Sequence, residues 1–344
     1  MGIYIIRLLL SLFIILFSCE LFTNAIEWFG SRMKVGDGVL GSIFSAVGTC
    51  LPETMIPLIA ILFTSNRQYA NDIGVGAIIG APFMLATLAF FVSGISLILF
   101  SRKRKYGMTL HADKNIIKRD LEFFLFLYPL ALFCSLFECK PVKNTTGFVL
   151  IGAYVYYVYI TLRNDRFNSS KPHKLYILSI LNLFSFKKGG NKSNPRLRFI
   201  FLQLGLSLAS IVLGAEIFIK NVESIAVHAG IPAMILSLII APVATELPEK
   251  FNSVIWMARQ KDTLAIANIT GAMVFQSCLP VAFGIFATPW KLDLKAILSG
   301  ILALTSTFIF YISFTSRKKT NAIILLNCGI FYIVFILYVL NNFA

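Results

Sequence analysis

Two short stretches of the chain place a glutamate directly after a proline, inside long apolar runs. Thr49 to Glu53 read TCLPE, and Thr245 to Glu249 read TELPE, 196 positions further on. A carboxylate at membrane depth costs about 2.5–3.5 kcal/mol on insertion scales, so each glutamate needs a function or a partner. The proline removes a backbone donor and disrupts the helix, which lets carbonyls near the two threonines face a cavity. Hard cations bind carboxylate, carbonyl and hydroxyl oxygens, so the pattern predicts a cation site.

Composition makes lipid the solvent for most of the chain. Of its 344 residues, 57% are hydrophobic and 14% are charged, which leaves more apolar surface than a soluble domain of this length can hide. The net charge of +15 arises from bases in short segments between apolar runs, so we expect it to orient helices rather than bind nucleic acid. The cysteines lack zinc-ligand spacing, and we expect buried free thiols at Cys19, Cys50, Cys134, Cys139, Cys278 and Cys328.

Apolar runs of about 20 residues, the length of a membrane-crossing helix, predict an all-α polytopic membrane protein. The ten predicted spans are 3–30, 36–64, 72–100, 120–139, 147–163, 198–226, 232–258, 264–288, 293–315 and 321–341. With both termini outside, the loops on the cytoplasmic side carry 23 of the 31 Lys and Arg residues. These loops are 31–35, 101–119, 163–198, 259–263 and 316–320. The asymmetry follows the positive-inside rule, and we expect insertion into the cytoplasmic (inner) membrane.

The two halves of the sequence align when one is shifted by 196 positions. Besides the two L-P-E motifs, the matched pairs are Glu20 with Glu216, Glu27 with Glu223 and, after a five-residue length difference, Gly80 with Gly271. Glu20 and Glu216 have two interpretations, since they could line an ion path or could pair near an interface.

An odd number of spans in each half inverts the second half relative to the first. Inverted repeats are typical of secondary transporters, whose sites lie near the bilayer midplane between the repeats. The predicted organisation is a first repeat at 1–163, a basic cytoplasmic linker at 164–197 and a second repeat at 198–344.

The repeats should bring the two helix breaks together, so that Glu53 and Glu249 face one another. Two carboxylates held close repel each other unless a cation or a proton intervenes. One divalent ion, sodium ions or protons can each neutralise the pair, and an exchanger requires this alternation.

At these residues the chain resembles the calcium/cation antiporter superfamily, particularly the membrane regions of sodium/calcium exchangers. Their repeats carry G-T-S-L-P-E followed by G-N-I-I-G-S-N, and the resemblance covers roughly residues 15–100 and 210–290. It implies ten helices in two inverted five-helix repeats, with helices 2 and 7 broken at the motif. It further implies Glu53 and Glu249 as central ligands, Thr49 and Thr245 as additional oxygen donors, and alternating access by sliding of helices 1 and 6.

The chain departs from the pattern of that superfamily at several ligand positions. The motif serine is Cys50 in the first repeat and Glu246 in the second, while Leu85 and Gln276 stand where the family has Asn or Asp. Glu246 has two interpretations: a third carboxylate ligand for a divalent ion, or an ion pair with Lys250 at i+4. Gln276 can still offer a neutral oxygen.

The sequence therefore predicts a secondary active antiporter that exchanges calcium or a related divalent cation for sodium or protons. The alternatives are a cation channel or passive pore, and a transport-inactive scaffold with the exchanger fold. No HExxH, P-loop or GxSxG motif is present, so we do not predict an enzyme or a cofactor. Transported cations and membrane lipid are the expected partners. The candidate metal ligands are Glu53, Glu249, Thr49, Thr245, Glu246 and Gln276.

Overall fold

The regular structure of the chain is almost entirely helical. The computed structural model describes residues 2–50, 53–54, 57–58, 61–62, 67–164, 174–177, 195–228, 246–316 and 320–341. Within these residues the exception to the all-α prediction is a two-stranded antiparallel ladder, in which β1 (Thr109–Leu110) pairs with β2 (Thr320–Asn321).

The helices follow one another with short connections where both ends are described. In chain order they are α1 (Gly2–Met33), α2 (Asp37–Val39), α3 (Ala46–Thr49), α4 (Arg67–Met84), α5 (Phe90–Leu99), α6 (Lys114–Cys134), α7 (Lys140–Asn164), α8 (Leu197–His228), α9 (Leu247–Ala258), α10 (Asp262–Ala287), α11 (Leu294–Ser316) and α12 (Ala322–Asn341). π-Helical turns at Leu40–Ser45 and Leu85–Ala89 join α2 to α3 and α4 to α5, and a 3₁₀ turn at Ser101–Lys103 follows α5.

Seven helical segments among the described residues are long and apolar enough to cross a membrane. They are Ile6–Met33, Gly74–Leu99, Lys140–Asn164, Leu197–Gly214, Asp262–Ala287, Leu294–Ser316 and Ala322–Val339. Two of the other predicted spans, 36–64 and 232–258, include residues outside the described part of the chain. The third corresponds to α6, whose first half is rich in charged residues.

Two helices begin earlier than the apolar pattern predicts. The predicted span at 120–139 is α6, which begins at Lys114 because the Asp113 carboxylate caps it by accepting from the backbone N–H of Asn115 at 2.8 Å. The predicted span at 147–163 is α7, which begins at Lys140. Its Lys143 is buried and donates through Nζ to the carbonyls of Pro289 and Trp290, so a cation is tolerated inside the helix.

Helix α10 lies at the centre of the fold and is buried along most of its length. At Gly271 it packs directly against the π-helical turn Leu40–Ser45, because a Cβ atom there would overlap the Ser42 backbone. The Ser45 hydroxyl also donates to the Asn268 side-chain oxygen at 2.6 Å. These contacts fix the first half of the predicted second span against α10.

Helices α1 and α8 form a pair whose outer surface is apolar. Gly214 of α8 packs against Ile14 and Ile15 of α1, where an added Cβ atom would crowd both side chains. Large exposed hydrophobic side chains cover the outside of both helices, among them Leu9, Leu10, Phe13, Phe17, Leu206 and Leu213. Such a surface suits contact with lipid.

The loops that the positive-inside rule predicts on one side of the membrane lie together. Arg104 pairs with Asp262 at 2.5 Å, which joins loop 101–119 to loop 259–263. The β1–β2 ladder joins loop 101–119 to the segment that precedes α12. The contacts between these loops therefore agree with the predicted topology, in which they lie on the same side of the membrane. That this side faces the cytoplasm stays a prediction.

Candidate functional site

The second L-P-E motif forms the start of α9. Glu246 occupies the N-cap position, and Pro248 lies in the first turn, where its missing N–H leaves no helical hydrogen bond unmade. Glu249 follows in the same turn. The helix thus begins at the motif, as the resemblance implies for helix 7.

The first motif begins at the end of α3. This helix ends at Thr49, and the Cys50 carbonyl accepts from the backbone N–H of Thr54 at 3.0 Å. Glu53 is helical, and its side chain points into the protein with 9% of its surface exposed. Leu51 and Pro52 lie outside the described residues.

The two motif glutamates meet inside the protein. One carboxylate oxygen of Glu53, one of Glu249 and the sulfur of Cys50 all lie within 4.8 Å of one another. All four carboxylate oxygens are buried and have no hydrogen-bond partner among the described residues. Burying two unpaired ionised groups is expensive, so this geometry demands a neutralising cation or proton.

A small cavity, too narrow to hold a water molecule, lies among these groups. Its lining combines three carboxylates, a thiol and an amide with two apolar side chains: Cys50, Glu53, Ala81, Leu85, Glu246, Glu249 and Gln276. Because the walls are so close, a cation here would contact side-chain atoms directly rather than through a hydration shell.

Of the two interpretations of Glu246, the structure has the ion pair. Lys250 Nζ lies 2.8 Å from Oε2 of Glu246, and both side chains are buried. Glu246 nevertheless lines the cavity, so the pair forms part of its wall. The proline at the start of α9 leaves the i,i+4 spacing intact.

Of the two motif threonines, Thr49 forms a hydrogen bond to the backbone one helical turn before it. The Thr49 hydroxyl donates to the Ser45 carbonyl at 3.0 Å, and Thr49 is not among the described residues that line the cavity. Thr245 lies outside the described residues. Their roles as oxygen ligands therefore stay predictions.

A further buried carboxylate, Asp120, absent from the sequence predictions, joins four elements of the fold. Asp120 accepts hydrogen bonds from Ser42 at 2.6 Å, Thr270 at 2.8 Å and Tyr157 at 2.9 Å, and it pairs with Arg119. It thereby ties α6 to the π-helical turn, α10 and α7. Its position at the edge of the predicted span 120–139 gave no signal, since its partners come from other helices.

Glu20 forms ion pairs and hydrogen bonds rather than lining the cavity. It pairs with Arg259 and accepts from the Tyr176 hydroxyl at 2.6 Å. Glu27, two helical turns further along α1, pairs with Arg259 at 3.4 Å and with Lys261 at 2.9 Å. The cluster ties α1 to the turn between α9 and α10.

The matched glutamate of the second repeat has an equally local role. Glu216 lies on the surface of α8 and pairs with Lys220 at 2.5 Å. For both matched residues, pairing is the interpretation that the structure supports.

A polytopic helical membrane fold in which mirrored motifs bury facing carboxylates defines the class of cation antiporters. The family profile described as sodium/calcium exchanger protein matches residues 3–163 and 199–344, so the chain belongs to that family.

Two of the curated relatives are similar over most of the chain, and a third is similar over one third of it. The uncharacterized membrane protein MJ0091 of Methanocaldococcus jannaschii is 23% identical over 266 residues, which cover 77% of this chain and 76% of the relative. The inner membrane protein YrbG of Escherichia coli is 21% identical over 286 residues, covering 83% and 80%. The sodium/calcium exchanger MaX1 of Methanosarcina acetivorans is 26% identical over 113 residues, covering 33% of this chain and 32% of MaX1.

Solved structures of the sodium-calcium exchanger NCX_Mj share the fold. One, soaked with 10 mM Na⁺ and zero Ca²⁺, has a TM-score of 0.74 at 20% identity and covers 98% of this chain and 99% of its own. Another, soaked with 2.5 mM Na⁺ and 10 mM Sr²⁺, also gives 0.74 at 20% identity, covering 97% and 98%. The predicted fold, about ten helices in two inverted repeats, is confirmed, and the chain is an integral membrane protein.

Proposed function

We propose that the chain exchanges a divalent cation, calcium or a related ion, for sodium or protons by alternating access. Glu53 and Glu249 are the central ligands in this proposal, and Gln276 offers a neutral oxygen. Residues 1–163 and 198–344 are the two exchanger repeats, joined by the basic linker 164–197. Both termini lie outside the inner membrane.

The observation that carries the proposal is the facing pair of buried carboxylates without partners. They come from matched positions in the two repeats and meet at the cavity, with one oxygen of each within 4.8 Å of the other. A scaffold that had lost transport would gain stability by replacing such a pair with apolar groups. The name of a further relative, the putative antiporter CaxA of Alkalimonas amylolytica, which is 21% identical over 292 residues, supports the same function.

Charge balance limits how many monovalent cations can exchange for one divalent cation. The Glu246–Lys250 pair is neutral as a unit, so Glu53 and Glu249 leave the site with two negative charges. One divalent cation neutralises them, and so do two monovalent cations. The proposal therefore favours an exchange of one divalent ion for two sodium ions or protons, with no net charge moved by each cycle.

Transport by the purified protein in lipid vesicles tests the proposal. The vesicles are loaded with sodium or held at a pH gradient, and uptake of labelled calcium, zinc and cadmium is measured. We expect uptake of at least one of these ions to require the opposing gradient and to be lost in Glu53→Gln and Glu249→Gln. Glu138→Gln is the control, since Glu138 is an exposed glutamate paired with Lys291.

Two outcomes would contradict the proposal. Flux that is independent of the gradient and accompanied by single-channel currents would show a pore. Absence of both movement and binding of every cation tested would show a scaffold. Membrane-potential independence of calcium exchange would support the one-for-two coupling, whereas acceleration of calcium exchange by an imposed potential would exclude it.

A further inference from the structure

We propose that Cys50 is a third ligand of the cation site and that it gives the site a preference for thiophilic divalent cations, of the zinc and cadmium type, over calcium. The inference rests on the proposed antiport site and specifies its substrate class. Sequence patterns alone favour an inert buried thiol at Cys50, because the six cysteines have no metal-ligand spacing.

Geometry places the sulfur among the candidate ligand oxygens. Cys50 Sγ lies within 4.8 Å of one oxygen of Glu53 and one of Glu249, and the residue is 1% exposed. An ion bound between the two carboxylates would therefore also meet the sulfur. The unpartnered, buried oxygens of both glutamates are an independent observation that this space needs a cation or a proton to balance its charge.

Among the described residues, the side-chain oxygens around the cavity only just reach the number that a calcium site takes. Calcium takes about 6–8 oxygen ligands. Glu53, Glu249 and Gln276 offer five side-chain oxygens, and the oxygen of Glu246 that does not bind Lys250 is a sixth. The other described lining residues, Ala81 and Leu85, offer no side-chain ligand, and the cavity is too tight for a shell of water.

The same donors suffice for a softer ion. Zinc and its relatives take about four ligands and accept thiolate sulfur, carboxylate oxygen and neutral oxygen. Cys50, Glu53, Glu249 and Gln276 make up such a set. When the ion binds, a metal–sulfur bond replaces the S–H bond and the thiol proton passes to solvent on the side to which the site is open. Exchange of such an ion therefore carries one proton more than the one-for-two exchange of calcium and moves net charge.

The test uses the purified full-length protein in detergent, with cadmium chloride as the probe. A cadmium–thiolate bond absorbs in the ultraviolet through charge transfer, whereas carboxylate ligation does not. Cys50→Ser is the variant, since serine keeps the size of the side chain and supplies an oxygen. Cys328→Ser is the matched control because Cys328 is also 1% exposed and lies on α12, away from the cavity lining.

We expect one equivalent of cadmium to produce the charge-transfer band in the parent protein and in Cys328→Ser, and no band in Cys50→Ser. Cadmium affinity should fall in Cys50→Ser by more than the ~10- to 100-fold that outer-shell changes cost at metal sites. Calcium affinity should be unchanged or higher, because the added hydroxyl is an oxygen donor. Cys50→Ala should lose the band as well, without that gain for calcium.

The inference and the proposed function fail in different ways. A band that persists in Cys50→Ser, or its absence from the parent protein, would overturn the thiol ligand. Gradient-driven cadmium uptake that requires Glu53 but is indifferent to Cys50 would do the same and leave antiport intact. Loss of all gradient-driven movement, with the band still present, would instead remove antiport and keep the metal site.

Discussion

The ammonium group of Lys250 lies 2.8 Å from Oε2 of Glu246, across the first turn of α9, with side chains that are 5% and 2% exposed. Both residues flank Glu249, a central ligand of the proposed site. The pair places a fixed positive charge next to a carboxylate cluster that must otherwise depend on mobile cations. In the proposed function, Lys250 neutralises Glu246, so the transported ions balance only the charges of Glu53 and Glu249.

Removing one partner of this pair should cost more stability than removing both. Lys250→Met leaves a buried carboxylate unpaired, and breaking a buried pair in this way costs about 3–5 kcal/mol. Adding Glu246→Gln should recover most of that loss, since no uncompensated charge remains. Unfolding of Lys250→Met, Glu246→Gln and the double variant, followed by near-ultraviolet circular dichroism in detergent, measures the coupling.

A surface pair gives the comparison for this cycle. Lys291 and Glu138 are 2.8 Å apart with side chains 68% and 85% exposed, and Lys291 lowers the pKa of Glu138. Because both remain hydrated, Lys291→Met should leave stability unchanged within error. Equal losses for Lys250→Met and Lys291→Met would show that burial of the first pair has no energetic consequence.

Matched glycines of the two repeats should respond differently to the same substitution. At Gly271 an added methyl group would overlap the Ser42 backbone, whereas at Gly80 nothing lies within 4 Å. Overpacking of this kind costs about 1–3 kcal/mol, so Gly271→Ala should lower the thermal midpoint and reduce transport. Gly80→Ala should do neither. Equal behaviour of the two variants would contradict the close packing of α10 against the π-helical turn.

Asp120 should support the site through its charge. Asp120→Asn removes the pairing with Arg119 and weakens hydrogen bonds from three hydroxyl groups. A hydrogen bond to a charged group contributes about 1.5–3 kcal/mol, so we expect a loss of that order and weaker cation binding, measured by calorimetry. Asp113→Asn is the control on the same helix, because asparagine caps a helix as well as aspartate does. If Asp120→Asn changed neither stability nor cation binding, the hydrogen-bond network around Asp120 would have no role in the site.

Most of what the sequence predicts about the site comes from its internal repeat. Matched motifs require matched positions, and inversion brings those positions together, so Glu53 and Glu249 could be placed opposite one another without coordinates. The same logic located the start of α9 at the second motif. Hydrophobic runs likewise predicted the long helices, although not the early starts of α6 and α7, which depend on a cap and on carbonyl partners for Lys143.

What could not be predicted depends on pairs with no sequence relationship. Asp120 finds its hydroxyl partners on three other elements, and Glu20 finds Arg259 across 239 positions. Cys50 precedes a predicted ligand by three residues, which was a usable signal, but whether its sulfur turns toward the carboxylates is decided by the backbone at the helix break. Hydropathy and spacing contain none of this information.

Arg259 should hold α1 against the turn between α9 and α10 because its guanidinium contacts both Glu20 and Glu27. A planar guanidinium can bind two carboxylates at once, whereas an ammonium is a single point of charge. Arg259→Lys should therefore loosen α1 partly and Arg259→Gln fully, seen as faster amide hydrogen exchange in its C-terminal half. Arg102→Gln, on the exposed 3₁₀ turn, is the control and should leave exchange unchanged.

If α1 exchanged at the parent rate in Arg259→Gln, the remaining pair between Lys261 and Glu27, 2.9 Å apart, would be sufficient to hold the helix. The double variant Arg259→Gln and Lys261→Gln would then have to release it, and protection in that variant as well would show that apolar packing against α8 alone fixes α1.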